Sequence, residues 1–123
     1  MKIKSHKELK VYQISFDAGM KIFELSKSFP KEERYSLTDQ VRRSSRSVSA
    51  NIAEGFRKRR YPKSFIAKLV DAEGEAAETQ NWLEYAFECK YLTKDIAEKL
   101  NETYENILGK LVTMENQAEK WRV

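Results

Sequence analysis

The sequence predicts an all-α fold, an antiparallel up-down-up-down four-helix bundle, and three observations carry that prediction. Across 123 residues only two prolines and four glycines interrupt the chain, so the punctuation that short strands and tight turns require is missing. Charged residues make up 34% and hydrophobic ones 41%; the apolar positions recur periodically, as in helices with one buried stripe and one solvated face. Four such segments are separated by short breaks, and short connections between long helices force antiparallel neighbours. A chain of this length builds one core, so residues 1–123 are read as a single domain.

The first helix is expected over about residues 7–28, ended by Phe29-Pro30, because proline disfavours a helical residue before it and lacks a donor. It carries two apolar stripes: Leu9, Tyr12, Phe16 and Phe23 form one, and Val11, Ile14, Ala18, Ile22 and Leu25 the other. A helix apolar on so much of its circumference either crosses the centre of the bundle or touches a neighbouring subunit. The second helix, about 37–55, opens on Ser36-Leu37-Thr38-Asp39, a capping-box pattern with an acid at the positive helix end. Leu37, Val41, Val48 and Ile52 are its apolar positions, and its centre of Ser44, Ser45, Ser47, Ser49 and Ala50 admits a close neighbour. Gly55 suits a left-handed C-terminal cap.

Pro62 fits the first turn of a third helix, about 62–91, where its missing donor costs nothing. Its stripe is Phe65, Leu69, Ala72, Ala76, Leu83 and Phe87, and interior Gly74 is expected where another helix packs closely. Thr93 caps a fourth helix, about 94–120. There Leu100, Tyr104, Ile107, Leu111, Met114, Ala118 and Trp121 alternate spacings of four and three, the seam of knobs-into-holes packing.

The residue inventory argues against catalysis. Serine or cysteine nucleophiles need a base within reach, and the single histidine, His6, falls in a terminus expected to fray. One histidine and one cysteine cannot furnish a His/Cys metal site, and no glycine-rich phosphate loop is present. Asp71, Glu75 and Glu78 share a helical face, yet a carboxylate run of this kind is ordinarily solvated or ion-paired. No enzyme, cofactor or metal is therefore expected. The lone Cys89 reads as a small buried helix residue in a reducing compartment. With no apolar run of about 18 residues and no signal-like start, a cytoplasmic protein without membrane contact is expected.

Charge is the informative feature. From Arg42 to Lys68 nine basic residues face the single acid Glu54, a net of +8, whereas Asp71 to Glu88 holds six acids and no Lys or Arg. Arg42 and Arg46 project from one face of the second helix with Arg43 beside them. Arg57, Lys58, Arg59 and Arg60 follow about three turns later, with Lys63 beyond them. Guanidinium groups present paired donors to phosphate, and Phe56 and Tyr61 flank the run where rings can stack on unpaired bases. Two partners suit this surface: RNA or DNA phosphates, and the acidic third helix of a neighbouring subunit or another protein.

The stretch Gln40-Val41-Arg42-Arg43-Ser44-Ser45-Arg46-Ser47-Val48-Ser49-Ala50-Asn51-Ile52-Ala53-Glu54-Gly55-Phe56 resembles the 23S rRNA intervening-sequence protein family. The likeness runs from Leu9-x-Val11-Tyr12 through Phe29 to Leu37 and on to Glu78 and Leu83, with Asn51, Ile52, Ala53, Glu54 and Gly55 its most specific part. The resemblance implies an antiparallel four-helix bundle assembling as a homopentamer, encoded in bacteria within rRNA insertions. A related branch, the accessory variability proteins of diversity-generating retroelements, binds nucleic acid and a reverse transcriptase. Ser49 here replaces a proline and Arg46 a small or apolar residue, which implies a straighter and more basic second helix. The family supplies no catalytic residues. For Asn51 and Glu54 the residues themselves suggest a structural role, satisfying backbone groups and pairing with nearby arginines, with a subunit surface as the alternative.

Overall fold

The computed structural model describes residues 3–123 of the chain. A 3-10 turn at His6–Glu8 precedes α1 (Lys10–Ser26), and a second at Lys31–Glu33 precedes α2 (Leu37–Arg57). Then come α3 (Pro62–Glu88), α4 (Lys94–Asn116) and a short α5 (Ala118–Trp121). The described residues contain no strand, and none of their helices is long and apolar enough to cross a membrane.

The N-terminal segment is held in place rather than frayed. Ser5 Oγ accepts from the Lys7 amide at 3.2 Å, Glu8 reaches back to the Ser5 amide at 2.9 Å, and the His6 ring sits edge-on to Tyr12 at 4.7 Å. Helix α1 accordingly starts at Lys10, three residues later than expected. Its second stripe faces inward, with Val11, Ala18 and Ile22 buried together with Ser15 and Ser26; the first is divided, since Leu9 is buried and Tyr12 packs against the core while Phe16 is 48% exposed.

Helix α2 differs from expectation at both ends. The Ser36 side chain makes no cap; Glu33 Oε1 instead accepts from the Leu37 amide at 3.3 Å. Gly55 is no left-handed cap, since no glycine has positive φ and the helix continues to Arg57. Its missing side chain serves packing, because a Cβ there would lie 3.2 Å from Lys68 Cβ and 3.3 Å from Leu69 Cδ2. Gly74, expected at a close approach, has nothing within 4 Å of such a Cβ.

In α3 the stripe is completed by Thr79, which spans the gap between Ala76 and Leu83, and by Ala86 rather than the half-buried Phe87. Thr79 Oγ1 donates to Ser44 Oγ at 2.8 Å, joining α3 to the small-residue centre of α2. The helix stops at Glu88 instead of 91. Lys90 takes φ 67°, and the Tyr91 amide reaches the Ala86 carbonyl at 2.8 Å while the Lys90 amide reaches Phe87 at 2.9 Å, a Schellman cap. Cys89 lies in this cap and is exposed, not buried.

Thr93 caps α4 as predicted, accepting from the Ile96 amide at 3.3 Å. Every position of the four-three seam from Leu100 to Ala118 is buried and Trp121 is half-buried, although the helix breaks at Gln117 before α5. Tyr104 is fully enclosed with no partner for its hydroxyl, and burial pushes that phenol far above its ordinary value.

Helix α1 packs on α2 and α4, and α3 packs on α2 and α4, with no Cα atoms of either diagonal pair within 8 Å of each other among the described residues. Ser26 late in α1 meets Arg42 early in α2, Gly55 late in α2 meets Phe65 and Leu69 early in α3, and Phe65 meets Trp121 at the far end of the chain. The chain thus reverses at each connection. Tyr91 donates to Glu33 Oε2 at 2.9 Å and its ring lies 5.4 Å from that of Phe29, so the first and third connections share one end of the bundle. The connection between α2 and α3 occupies the other.

Candidate nucleic-acid interface

Successive residues on a helix turn by about 100°, so Arg42, Arg46, Ala53 and Arg57 lie within a narrow arc of α2, with Arg43 at its edge. The arginines at the two ends of that arc are held differently. Arg42 donates through Nε to Ser26 Oγ at 2.7 Å, and its guanidinium carbon lies 4.8 Å from the centre of the Phe23 ring. Arg46 lies 5.6 Å and Lys27 Nζ 4.9 Å from the same centre. Phe23 is thus a platform shared by three cations, an arrangement that attracts through the ring quadrupole. Arg42 and Arg46 join α2 to α1.

At the other end, Arg57, Lys58 and Arg60 surround the turn into α3. The turn is tight: the Arg59 amide reaches the Phe56 carbonyl at 3.2 Å and the Tyr61 amide reaches the Lys58 carbonyl at 2.9 Å. Arg59 folds back, with its guanidinium carbon 3.8 Å over the Phe56 ring and Nη1 donating to the Phe56 carbonyl at 2.9 Å. Arg57, Lys58, Arg60 and Lys63 point to solvent, as do Arg43 and the 62%-exposed Tyr61 ring. Pro62 opens α3 here, so the positive end of a 27-residue helix adds to the field.

Among the described residues none of the eight candidate cations, Arg42, Arg43, Arg46, Arg57, Lys58, Arg59, Arg60 and Lys63, has a carboxylate within 4.0 Å. Lys68, from the same basic segment, is the contrast. It bridges Glu54 at 3.1 Å and Asp71 at 3.9 Å. The family-like motif is therefore a seam between α2 and α3. Asn51 Nδ2 donates to the Ser47 carbonyl at 2.9 Å, Ile52 is fully buried, Ala53 is half-buried and Gly55 lets α3 approach. Glu54 pairs with Lys68 rather than with the arginines expected from its sequence neighbours.

On the acidic face of α3, Asp71 shares Lys68 with Glu54, whereas among the described residues Glu75 and Glu78 have no cation within 4.0 Å. Burial, then the charges of Glu78 and Asp71, push the Glu75 carboxyl above its ordinary value. The described residues contain no group of three His, Cys, Asp or Glu side chains placed to hold a metal ion. The role of Phe23 in holding Arg42 and Arg46 was not legible in the sequence: its spacing with Tyr12 and Phe16 marks an apolar stripe, but not the arginines it carries.

An all-helical bundle with a fixed basic turn at one end defines the class of protein. The chain matches the family model described as 23S rRNA-intervening sequence protein over residues 7–113, and it belongs to that family. It is similar to a crystal structure of a protein of unknown function from the S23 ribosomal protein family of Bacteroides thetaiotaomicron VPI-5482, with 29% identity and a TM-score of 0.76. That similarity covers 86% of this chain and 95% of the other. No curated protein matches the chain.

Proposed function

We propose that this chain is a non-catalytic, cytoplasmic homo-oligomer, a pentamer by its family resemblance, that holds RNA or DNA by its phosphates. Arg57, Lys58, Arg60 and Lys63 carry the contact, with Arg43 at its border and Tyr61 available to stack on an unpaired base. The observation that supports this reading is the set of cations without carboxylate partners: a basic turn fixed between two helices is already free of the pairs that a phosphate would have to displace. Arg42, Arg46 and Arg59 are engaged on Phe23 and Phe56 and take structural parts.

Filter retention of a structured RNA tests it. Affinity falls steeply between about 50 and 200 mM salt if phosphates dominate, and the triple reversal of Arg57, Lys58 and Arg60 to Glu abolishes retention. Undiminished retention by that variant refutes the site. A second reading, assembly without nucleic acid, is favoured by Glu75 and Glu78, which lie near each other on α3 with no cation within 4.0 Å among the described residues and which a neighbour's cations would neutralise. Under it the same triple variant loses mass in sedimentation and wild-type protein retains no RNA.

A further inference from the structure

We propose that the outer face of α1 and α2 docks into the groove between α3 and α4 of a second copy of this chain. The inference rests on the homo-oligomeric reading above and names the two surfaces that meet. The first is the stripe that α1 turns away from its own core: Phe16 and Met20 are 48% and 47% exposed, and Phe23 beside them carries Arg42 and Arg46, together with Lys27, which pairs with Glu24 at 3.2 Å. Exposed apolar side chains contiguous with cations suit an interface better than open water. A polyanion alone would leave the two apolar side chains uncovered.

The second surface is an open groove of about 690 Å³ whose apolar floor includes Leu83 and Phe87 and whose walls carry Glu84, Glu98, Glu102 and Glu105. Lys94 is its one basic lining residue, and it pairs with Glu98 at 3.8 Å. Gln80 Nε2 donates to Glu105 Oε2 at 2.7 Å and fixes that carboxylate on the groove wall. Each surface thus offers apolar groups for the other to cover, and their charges are opposite.

Their placement also matches. Helices α1 and α2 form one side of the bundle and α3 and α4 the opposite side, the diagonal pairs being the more distant ones. Phe23 and Arg42 lie beside the first connection and Phe87 and Lys94 flank the third, and those connections touch through Tyr91 and Glu33. The surfaces therefore sit at one level on opposite sides. A displacement that keeps the helix axes parallel brings one onto the other without sliding along them, so successive copies keep a common direction. Every basic turn between α2 and α3 then falls on the same rim, where phosphate contacts from several copies act together.

Sedimentation velocity on three full-length proteins tests the pairing: wild type, Arg46→Glu, and Glu98→Arg with Glu102→Arg. All substituted positions are exposed, and far-ultraviolet circular dichroism checks that each protein is folded; Phe16→Glu serves as a second probe of the first surface. The expected result is an assembled wild type, each variant falling to the mass of one 14.5 kDa chain, and mass regained when the two charge variants are mixed. A monomeric wild type overturns the homo-oligomeric reading and the pairing with it. An assembled wild type unchanged by the variants overturns the pairing alone. Arg46→Glu that keeps its mass but loses RNA assigns this face to nucleic acid and likewise overturns the pairing.

Discussion

Gly55 in α2 lies against Lys68 in α3 so closely that an added side chain would press its neighbours back by a few tenths of an ångström; the ideal Cβ would sit 3.2 Å from Lys68 Cβ and 3.3 Å from Leu69 Cδ2. Lys68 also pairs with Glu54 at 3.1 Å across the same seam. Gly55→Val is expected to destabilise by about 1–3 kcal/mol, the usual cost of overpacking. Gly74 has the opposite sign. With nothing within 4 Å of its added Cβ, Gly74→Ala is expected to stabilise by about 0.5–1 kcal/mol through helix propensity. Urea midpoints of the two variants decide both, and a destabilised Gly74→Ala would mean that another surface covers that position.

The cap of α3 places a lysine where glycine is favoured. At φ 67° the Lys90 Cβ crowds its own backbone, and the bond from the Tyr91 amide to Ala86 at 2.8 Å requires that conformation. Lys90→Gly is expected to raise stability by about 0.5–1 kcal/mol, after the greater freedom of glycine in the unfolded chain is subtracted. Lys90→Val should lower it, since a β-branched residue tolerates positive φ least. Thermal melts of the pair check the sign.

Glu115 Oε2 is buried with no donor at hand, and the side chain it meets, Glu73, is another carboxyl. Burial first, then a hydrogen bond and charge from Glu73, push Glu115 up to about 7 from its ordinary 4.5. Two carboxylates facing each other need a proton between them. The folded chain therefore takes up that proton more readily than the unfolded one. The stabilisation is complete below about pH 4.5 and lost as pH rises through about 7. Glu115→Gln supplies a permanent donor, so its melting temperature should exceed that of wild type at about pH 8 and the difference should shrink toward pH 5. A difference independent of pH would remove the shared proton.

The four helices were legible because periodicity is written over many residues: from Leu100 to Ala118 the seam survives without a miss. Their ends were less so, because a cap is decided by a single hydrogen bond. Ser36 has the composition of a capping residue, yet Glu33 from the preceding turn reaches the Leu37 amide first. Glycine was misread in both directions, since Gly55 and Gly74 look alike in sequence and only the position of α3 separates them. For the candidate site, the positive run from Arg42 to Lys63 was visible as charge. Which of its members stay free was not, because Phe23 comes from another helix and the return of Arg59 onto Phe56 depends on the shape of the turn.

That division among the arginines yields the sharpest test of the binding surface. Arg42 is half-buried, bonded to Ser26 and stacked on Phe23, so Arg42→Ala should cost about 1–2 kcal/mol from the lost hydrogen bond and cation–π contact. It should leave RNA affinity within about twofold of wild type, because the side chain never faced the ligand. Among the described residues Arg57, Lys58 and Arg60 have no ion-pair partner to lose. Reversing all three should leave stability within about 0.5 kcal/mol while removing retention, and single Ala variants should each lower the slope of log affinity against log salt by roughly 0.7–0.9. Stability and binding would then respond to different members of one basic run. If Arg42→Ala instead abolished retention in a fully folded protein, the phosphate path would have to run along α2 toward the first connection, and the turn at Arg57 would be only its border.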